Sequence, residues 1–155
     1  MNDERLEQLL EGRYIATLAT RNPDGTIYLN AVWYLHRGGA IFVGTAGTTR
    51  KARNAAQRAQ GSIMIDTRGA ADLRGAAATG AIEVVSGEEA RELNEQISRK
   101  YLTDAGVAHP EVGGTILATD DVTIRFTPTR WRTWGTDADF GGAFDEAGMS
   151  LPLDV

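Results

Sequence analysis

The first half of the chain alternates between apolar and polar residues with the period of a β-strand. The alternation runs from Thr26 to Arg37, so successive side chains there point to opposite faces. One face, which we expect to be buried in the core, carries Ile27, Leu29, Ala31, Trp33 and Leu35. The other face mixes aromatic, amide and β-branched groups and is expected to form a contact surface; it carries Tyr28, Asn30, Val32, Tyr34 and His36.

Similar patterns predict further strands at residues 14–20, 40–45, 62–67, 76–85 and 122–134, most of them joined as hairpins. Pro128 predicts a bend or an edge within the last of these strands. Short helices are expected near the N-terminus, after residue 48 and after Ser86, and residues 103–120 form a long connection. This order of elements predicts an α+β fold with an antiparallel, barrel-like sheet and short flanking helices. We expect a single domain over residues 1–134 and a C-terminal tail over 135–155 that is mobile or packed on a partner chain.

The two main predicted helices begin with opposite charges. After Ser86, the chain reads as a capping box with Glu88 and Glu89 in the first turn, as the helix dipole favours. The other helix begins with Arg50, Lys51 and Arg53, which its positive end should repel. An anion bound at that end would reverse the penalty, and the hydroxyls of Thr48 and Thr49 would serve as N-cap or as additional donors. We therefore interpret this segment as a phosphate site, against the alternative of a solvated basic face.

Composition excludes several classes of function. The chain has 155 residues, a formal net charge of -5, no cysteine and two histidines. These counts exclude disulfides and thiol chemistry, and they leave no residue set for a histidine- or cysteine-rich metal site. The acidic balance disfavours a general nucleic-acid binder. Since no apolar run approaches about 20 residues, we expect no membrane span and no signal peptide, and hence a cytoplasmic protein.

Several segments in succession carry a family resemblance. They are residues 15–20, the turn 23–25, residues 29–34, residues 41–45, and then Thr49, Arg50, Lys51, Arg53 and Asn54. In this order they resemble the pyridoxamine 5'-phosphate oxidase-like split-barrel family, and within it the flavin/deazaflavin oxidoreductases that use FMN or coenzyme F420. The resemblance covers residues 14–134. One departure is that residues 55–60 contain neither the leucine nor the proline that often follows this element.

The resemblance implies a split β-barrel of the FMN-binding type and a homodimer with two cofactor sites at the subunit interface. Thr49 and Lys51 would hold the cofactor phosphate, with Thr48, Arg50 and Arg53 as further candidates. The ring system would lie near Asn30, Val32, Val43 and Thr45, and Arg130 and Trp131 would reach in from the other subunit. The cationic residues around the phosphate favour the longer, acidic F420 over FMN.

The implied activity is an oxidoreductase that reduces a conjugated double bond of a small organic or natural-product substrate by hydride transfer from F420, or from FMN. The cofactor supplies the hydride chemistry, so no catalytic triad or paired carboxylate is needed. Tyr34, His36 and Tyr14 are candidate proton donors. The alternative is a non-catalytic dimer that binds a flavin or deazaflavin for storage or sensing.

Overall fold

The structure, a computed structural model, describes residues 3–68 and 74–135 of the chain. The strands are β1 Ala16–Arg21, β2 Ile27–Val32, β3 Leu35–Arg37, β4 Ala40–Thr45, β5 Gln60–Asp66, β6 Gly75–Ser86 and β7 Val122–Trp134. The helices are α1 Asp3–Glu11, α2 Arg50–Gln57, α3 Gly87–Tyr101, α4 Asp104–Ala108 and α5 Thr115–Thr119, with a π-helical turn at Pro110–Gly114. Residues 69–73, between two of the predicted strands, and the predicted tail after Gly135 lie outside the described residues. No helix in the described part of the chain is long and apolar enough to cross a membrane.

All strand pairs are antiparallel, and they form one seven-stranded sheet in the order β2-β1-β5-β6-β7-β4-β3. The two edge strands of this sheet, β2 and β3, are consecutive in the chain and separated by Trp33 and Tyr34 alone. Because so short a connection holds the two edges close together, the sheet curls into a barrel. This confirms the predicted α+β fold with an antiparallel split barrel.

The core fills the barrel interior and continues outside it beneath α3. Inside, Leu18, Ile63, Ile65, Ile124 and Phe126 are all buried to within 1 %. β4 is buried on both faces because Ile41 and Val43 point inward while Phe42 packs outward against Leu93 and Ile97 of α3. This second cluster fixes α3 against the end of β4, where the candidate site lies.

Two details of the last strand were predicted correctly. β7 spans Val122–Trp134, as expected, and Pro128 lies at an irregularity of its pairing with β6. The register shifts between Thr79 and Gly80, which pair with Arg130 and Pro128 and leave Thr129 unpaired. A proline cannot donate to the ladder, so a bulge is a favourable place for it.

The predicted orientation of the strand from Thr26 to Arg37 is wrong. The chain forms two strands there, and the face expected in the core is exposed at Ile27 (60 %) and Leu29 (62 %). Val32 and Tyr34, on the opposite face, are buried instead. The reason is the pairing of β2 with β1: Asn30 and Val32 lie opposite Leu18 and Ala16, which point into the barrel.

Candidate functional site

The candidate site begins at the amino end of α2, in the turn that follows β4. Thr49 is the N-cap, as predicted: its hydroxyl donates to the Ala46 carbonyl at 2.9 Å and accepts from the Ala52 amide at 3.4 Å. The Thr45 hydroxyl lies 3.0 Å from the Thr49 hydroxyl. Within the described residues, no hydrogen bond reaches the amides of Arg50 and Lys51, the first two of the helix. The helix therefore offers two unpaired donors beside its cationic side chains.

The three cations of the first turns diverge. The guanidinium of Arg50 lies 5.7 Å from the centre of the Tyr28 ring, while Arg53 is exposed. Lys51 is half-buried and lines a cavity between β4 and α3. Successive helical residues are about 100° apart, which is why neighbouring cations point in different directions. Of these three cations, Lys51 is the one that lines the cavity, and Thr48 is exposed.

The cavity has a volume of about 340 Å³ and draws its walls from five elements. Its lining consists of Ala31, Val32 and Trp33 at the end of β2, Gly44 and Thr45 of β4, Lys51 of α2, Asn94, Ile97 and Ser98 of α3, and Ile116 and Asp120 around α5. Three of the residues predicted to contact a cofactor, Val32, Thr45 and Lys51, come together here. One end of the cavity is cationic and the remainder is mainly apolar.

Buried Asn94 organises the wall opposite β4. Its amide group donates to the carbonyls of Asp120 (2.9 Å) and Val122 (3.1 Å), and its carbonyl oxygen accepts from the Thr123 hydroxyl at 2.7 Å. A Cβ at Gly44 would come within 2.8 Å of the Asn94 oxygen, so only glycine allows β4 to approach α3 so closely. These contacts fix the chain from Asp120 to Thr123 beside the cavity.

Two carboxylates from that segment compensate part of the positive charge. Asp121 accepts a hydrogen bond of 2.6 Å from the amide of Gly47, in the turn before α2. Asp120 lines the cavity with Lys51, and burial raises the pKa of its carboxyl, an effect that the charge of Lys51 opposes and that of Asp121 reinforces. Sequence reasoning missed both residues as well as Asn94. Two consecutive acids directly before a predicted strand were the available signal.

One aromatic residue, Trp33, lines the cavity, and a second ring supports it from behind. Trp33 stacks on Tyr101 with ring centres 5.0 Å apart and planes 3° apart. Trp33 was expected to be a core residue, but it lines the cavity and is half-buried. The Tyr101 hydroxyl donates to the Tyr14 carbonyl at 2.6 Å, and burial raises the pKa of Tyr101 to about 12. The stacked pair is therefore a fixed apolar surface.

The predicted proton donors lie elsewhere. Tyr34 is fully buried, and its hydroxyl donates to the carbonyls of Gly12 (3.1 Å) and Leu9 (3.4 Å). Burial raises the pKa of Tyr34 far above its ordinary value, and its hydroxyl is bonded to these two carbonyls and does not reach the cavity, so the structure does not support its role as a proton donor. His36 lies against Glu7 of α1, with 3.4 Å between Nδ1 and the carboxylate. Neither these residues nor Tyr14 lines the cavity.

The remaining predicted contacts divide into three groups. Val43 is fully buried in the barrel core and does not line the cavity, so its contact with a cofactor ring stays a prediction. Asn30 shares a face with Val32, and its side-chain oxygen is buried without a hydrogen-bond partner among the described residues. Arg130 lines a separate surface cavity of about 580 Å³, and Trp131 packs against the core. Their approach to a site in another subunit stays a prediction.

Comparison with known proteins agrees with this fold. The family model described as pyridoxamine 5'-phosphate oxidase matches residues 3–135. A conserved hypothetical protein of Mycobacterium tuberculosis superposes with a TM-score of 0.72 at 25% identity, covering 100% of this chain and 91% of its own. No curated protein matches the chain.

Two further structures share the fold at lower identity. One is an F420 reductase with a TM-score of 0.63 and 24% identity, covering 81% of this chain and 94% of its own. The other is HutZ, a heme storage protein of Vibrio cholerae, with a TM-score of 0.64 and 16% identity, covering 86% and 93%. The family match extends over nearly all of the described residues and includes every element around the cavity, and the chain therefore belongs to the pyridoxamine 5'-phosphate oxidase family.

Proposed function

We propose that this protein is an oxidoreductase that binds coenzyme F420, or alternatively FMN, in the cavity between β4 and α3. One observation carries the proposal: Lys51 lines that cavity at the start of α2, whose first two backbone amides are unpaired among the described residues, and Trp33 lines the same cavity. An ammonium group and helix amides together favour a phosphate, and a flat aromatic surface favours a ring. Both features lie in a chain of a family whose description is that of an oxidase.

The residues fit a phosphorylated ring cofactor. Lys51 and the amides of Arg50 and Lys51 would hold the phosphate, while Val32, Trp33 and Ile116 would bound the apolar part. The buried oxygen of Asn30 lacks a donor among the described residues, and an unpaired buried acceptor costs about 1 to 3 kcal/mol unless a ligand or partner supplies a donor. The bound cofactor would supply hydride-transfer chemistry, and the protein would bind it, orient it and exclude water.

The size of the cavity supports the preference for F420. A volume of about 340 Å³ is at the lower end for small-molecule sites, so a large cofactor would extend beyond it. Outside the cavity it would pass the exposed Arg50 and Arg53, which suit the acidic tail of F420. The proposed reaction is the reduction of a conjugated double bond in a small organic or natural-product substrate. The F420 reductase with the same fold is consistent with it.

The proposal includes a homodimer formed through the outer face of the sheet. Ile27 and Leu29 on β2 are exposed at 60 % and 62 %, although both are large and apolar. Ala19, Ser62 and Thr79 continue this face with small side chains across β1, β5 and β6, as their pairing shows. A second copy would cover this surface, and Arg130, which borders it, would then face the partner. A monomer by light scattering at micromolar concentration would contradict the dimer.

Ligand titration tests the cofactor site. We expect the protein to bind FMN and F420, and Lys51→Ala to weaken binding about 10- to 150-fold, since a hydrogen bond to a charged group contributes about 1.5 to 3 kcal/mol. In the FMN titration Arg53→Ala is the matched control, because FMN lacks the acidic tail assigned to Arg53 and the substitution removes one positive charge from an exposed position on the same helix. Equal losses for the two variants would show that the whole basic face acts and that Lys51 has no special place. An unchanged affinity of Lys51→Ala would remove this lysine from the site.

A second candidate function is a non-catalytic dimer that binds the cofactor for storage or sensing. It is favoured by the position of Tyr34 and His36, since neither predicted proton donor lines the cavity. Turnover separates the two candidates. Reduced F420 mixed with the protein and a panel of enones should be oxidised, as followed by absorbance. Tight cofactor binding without oxidation over that panel would support the binding protein.

A further inference from the structure

Asp120 places a carboxylate in the candidate site, and this carboxylate has no partner in the part of the chain that the structure describes. It is half-buried and lines the same cavity as Lys51. Its backbone carbonyl accepts from Asn94 and its amide donates to Ile116, but no hydrogen bond or ion pair in the described part of the chain reaches its carboxylate oxygens. The neighbouring Asp121, in contrast, has its carboxylate committed to the Gly47 amide. With respect to residues 3–68 and 74–135, the cavity therefore contains an unpaired acceptor, Asp120, as well as an unpaired cation, Lys51.

The surroundings hold this carboxylate in place without satisfying it. Gly44 of β4 leaves room for it, since a Cβ there would lie 3.3 Å from Asp120 Oδ2. Asn94 and Ser98 of α3 contribute no titratable group to the cavity, so Lys51 and Asp121 are the charges that act on Asp120. Burying a carboxylate without a donor is unfavourable. A ligand that brings donors would remove this cost.

We propose that Asp120 is a specificity-determining residue: its carboxylate accepts hydrogen bonds from hydroxyl groups next to the ligand's phosphate, so that the site selects polyol phosphates over a phosphate ion. The proposal rests on the proposed function, since it takes Lys51 to hold the phosphate. A chain of hydroxyl groups ending in a phosphate, as in the ribityl phosphate of flavins and deazaflavins, offers an anion to Lys51 and donors to Asp120.

The opposite role for Asp120 makes a different prediction. If the carboxylate merely repels anions, its removal should strengthen the binding of every phosphorylated ligand. If it accepts hydrogen bonds, its removal should weaken the binding of polyol phosphates and leave inorganic phosphate bound as before or more tightly. The sign of the change therefore separates the two roles.

Calorimetric titrations with ribitol 5-phosphate, inorganic phosphate and FMN test the proposal. We expect the wild type to prefer ribitol 5-phosphate to inorganic phosphate, and Asp120→Ala to lose about tenfold or more in affinity for ribitol 5-phosphate and FMN. Asp120→Asn keeps an acceptor oxygen and should lose less. Glu92→Ala removes an exposed carboxylate from α3 and should change neither affinity. Melting temperatures close to that of the wild type would show that the variants fold, as expected for a carboxylate without partners.

The outcomes distinguish this inference from the proposed function. FMN binding that is unchanged or tighter in Asp120→Ala overturns the role of Asp120 and leaves the cofactor proposal standing. A wild type that binds ribitol 5-phosphate no better than inorganic phosphate also overturns it. If neither FMN nor F420 binds while the preference for ribitol 5-phosphate persists and requires Asp120, the specificity role stands and the cofactor proposal fails.

Discussion

The two main helices, α2 and α3, contrast in how they use charge. α3 has Glu88 and Glu89 in its first turn, and its charged side chains find partners on the surface, such as Arg99 with Glu95 at 2.7 Å. α2 has no acid in its first turn, and within the described residues neither Arg50 nor Lys51 forms an ion pair. A helix that violates the dipole preference and leaves its cations unpaired indicates a binding site, whereas one that follows the preference serves packing.

Although the two helices differ in charge, each is held in place by the hydrogen bonds of a buried asparagine. Asn54 of α2 donates to the Thr20 hydroxyl at 3.1 Å and to the Asn22 side-chain oxygen at 3.0 Å. Asn94 of α3 makes three hydrogen bonds to the segment that ends the candidate site. We call these two asparagines the anchors of the helices. The contrast between α2 and α3 can therefore be tested by substituting the anchors, the charged side chains and the N-cap residues.

The largest loss of stability is expected when an anchoring asparagine is replaced. Asn94→Ala should lower the free energy of unfolding by about 3 kcal/mol, because it removes three hydrogen bonds of about 1 kcal/mol each and leaves buried groups unpaired. Asn54→Ala should cost about 1 to 2 kcal/mol, because it loses two bonds and water can replace one at the half-buried Asn22. Urea denaturation of both variants measures the difference.

Gln96→Ala serves as the control for the anchors, since Gln96 is exposed and accepts one bond of 3.3 Å from Arg37. Its effect should stay within about 0.5 kcal/mol. If Asn54→Ala destabilises the protein more than Asn94→Ala does, then α2, and not α3, is the more firmly held helix, and the comparison is reversed.

The next largest change in stability is expected at Lys100. At this residue α3 differs from a helix whose charged side chains are all solvated. The Lys100 ammonium nitrogen is buried 3.9 Å from the centre of the Tyr34 ring and has no hydrogen-bond partner among the described residues. Burial lowers the pKa of Lys100 from 10.5 to about 8, with the charge of Glu11 opposing the shift. The cation–π contact offsets part of the cost of this burial. Lys100→Met should therefore stabilise the protein at pH 7, by about 1 kcal/mol because the half-exposed side chain is screened by solvent.

The dependence of stability on pH tests whether the charge of Lys100 is buried. Between pH 8 and pH 10.5, the unfolded chain keeps the Lys100 proton and the folded chain loses it, so the wild type gains stability as the pH rises through this window. The advantage of Lys100→Met should accordingly shrink from pH 7 to pH 9.5 in paired urea titrations. Arg99→Met, at an exposed position, should show a constant difference from the wild type over this range. An advantage that grows with pH would contradict the burial of the charge.

The sequence predicted the elements better than their orientation. Hairpin signals and alternation were enough for the antiparallel sheet, the helix after Ser86 and the final strand from Val122 to Trp134. Alternation could not tell which face of β2 points inward, because Ile27 and Leu29 make the outer face as apolar as a core face. Tyr34 could be buried because carbonyls at the end of α1 accept its hydroxyl, a contact between elements that no local pattern reveals.

The sequence predicted the residues of the candidate site that lie on α2 but not those of the wall opposite β4. Charge at a helix start identified Lys51 and Thr49, which are local in sequence. Asp120 and Asn94 reach the cavity because β4 pairs with β7, with Thr45 opposite Val122. This strand pairing brings together residues that are far apart in the chain. It depends on the order of the strands in the sheet, which a single sequence does not specify.

The smallest loss of stability is expected when the N-cap residues of the two helices are replaced. Thr49→Ala should lower the free energy of unfolding by about 1 kcal/mol, because its hydroxyl accepts from Ala52 and donates to Ala46. Ser86→Ala should cost a few tenths of a kcal/mol at most, because the predicted capping box is absent: Ser86 makes no side-chain cap bond.

The geometry explains the missing box. Gly87 has a φ of 75°, which turns the chain away from the helical path that a capping box needs, and Glu89 pairs with Arg125 at 2.7 Å instead of reaching back to Ser86. Chemical denaturation of the two alanine variants compares the caps directly. A loss at Ser86 equal to that at Thr49 would mean that α3 is capped in solution as its sequence indicates, and the difference between the two helix starts would then lie in their charges alone.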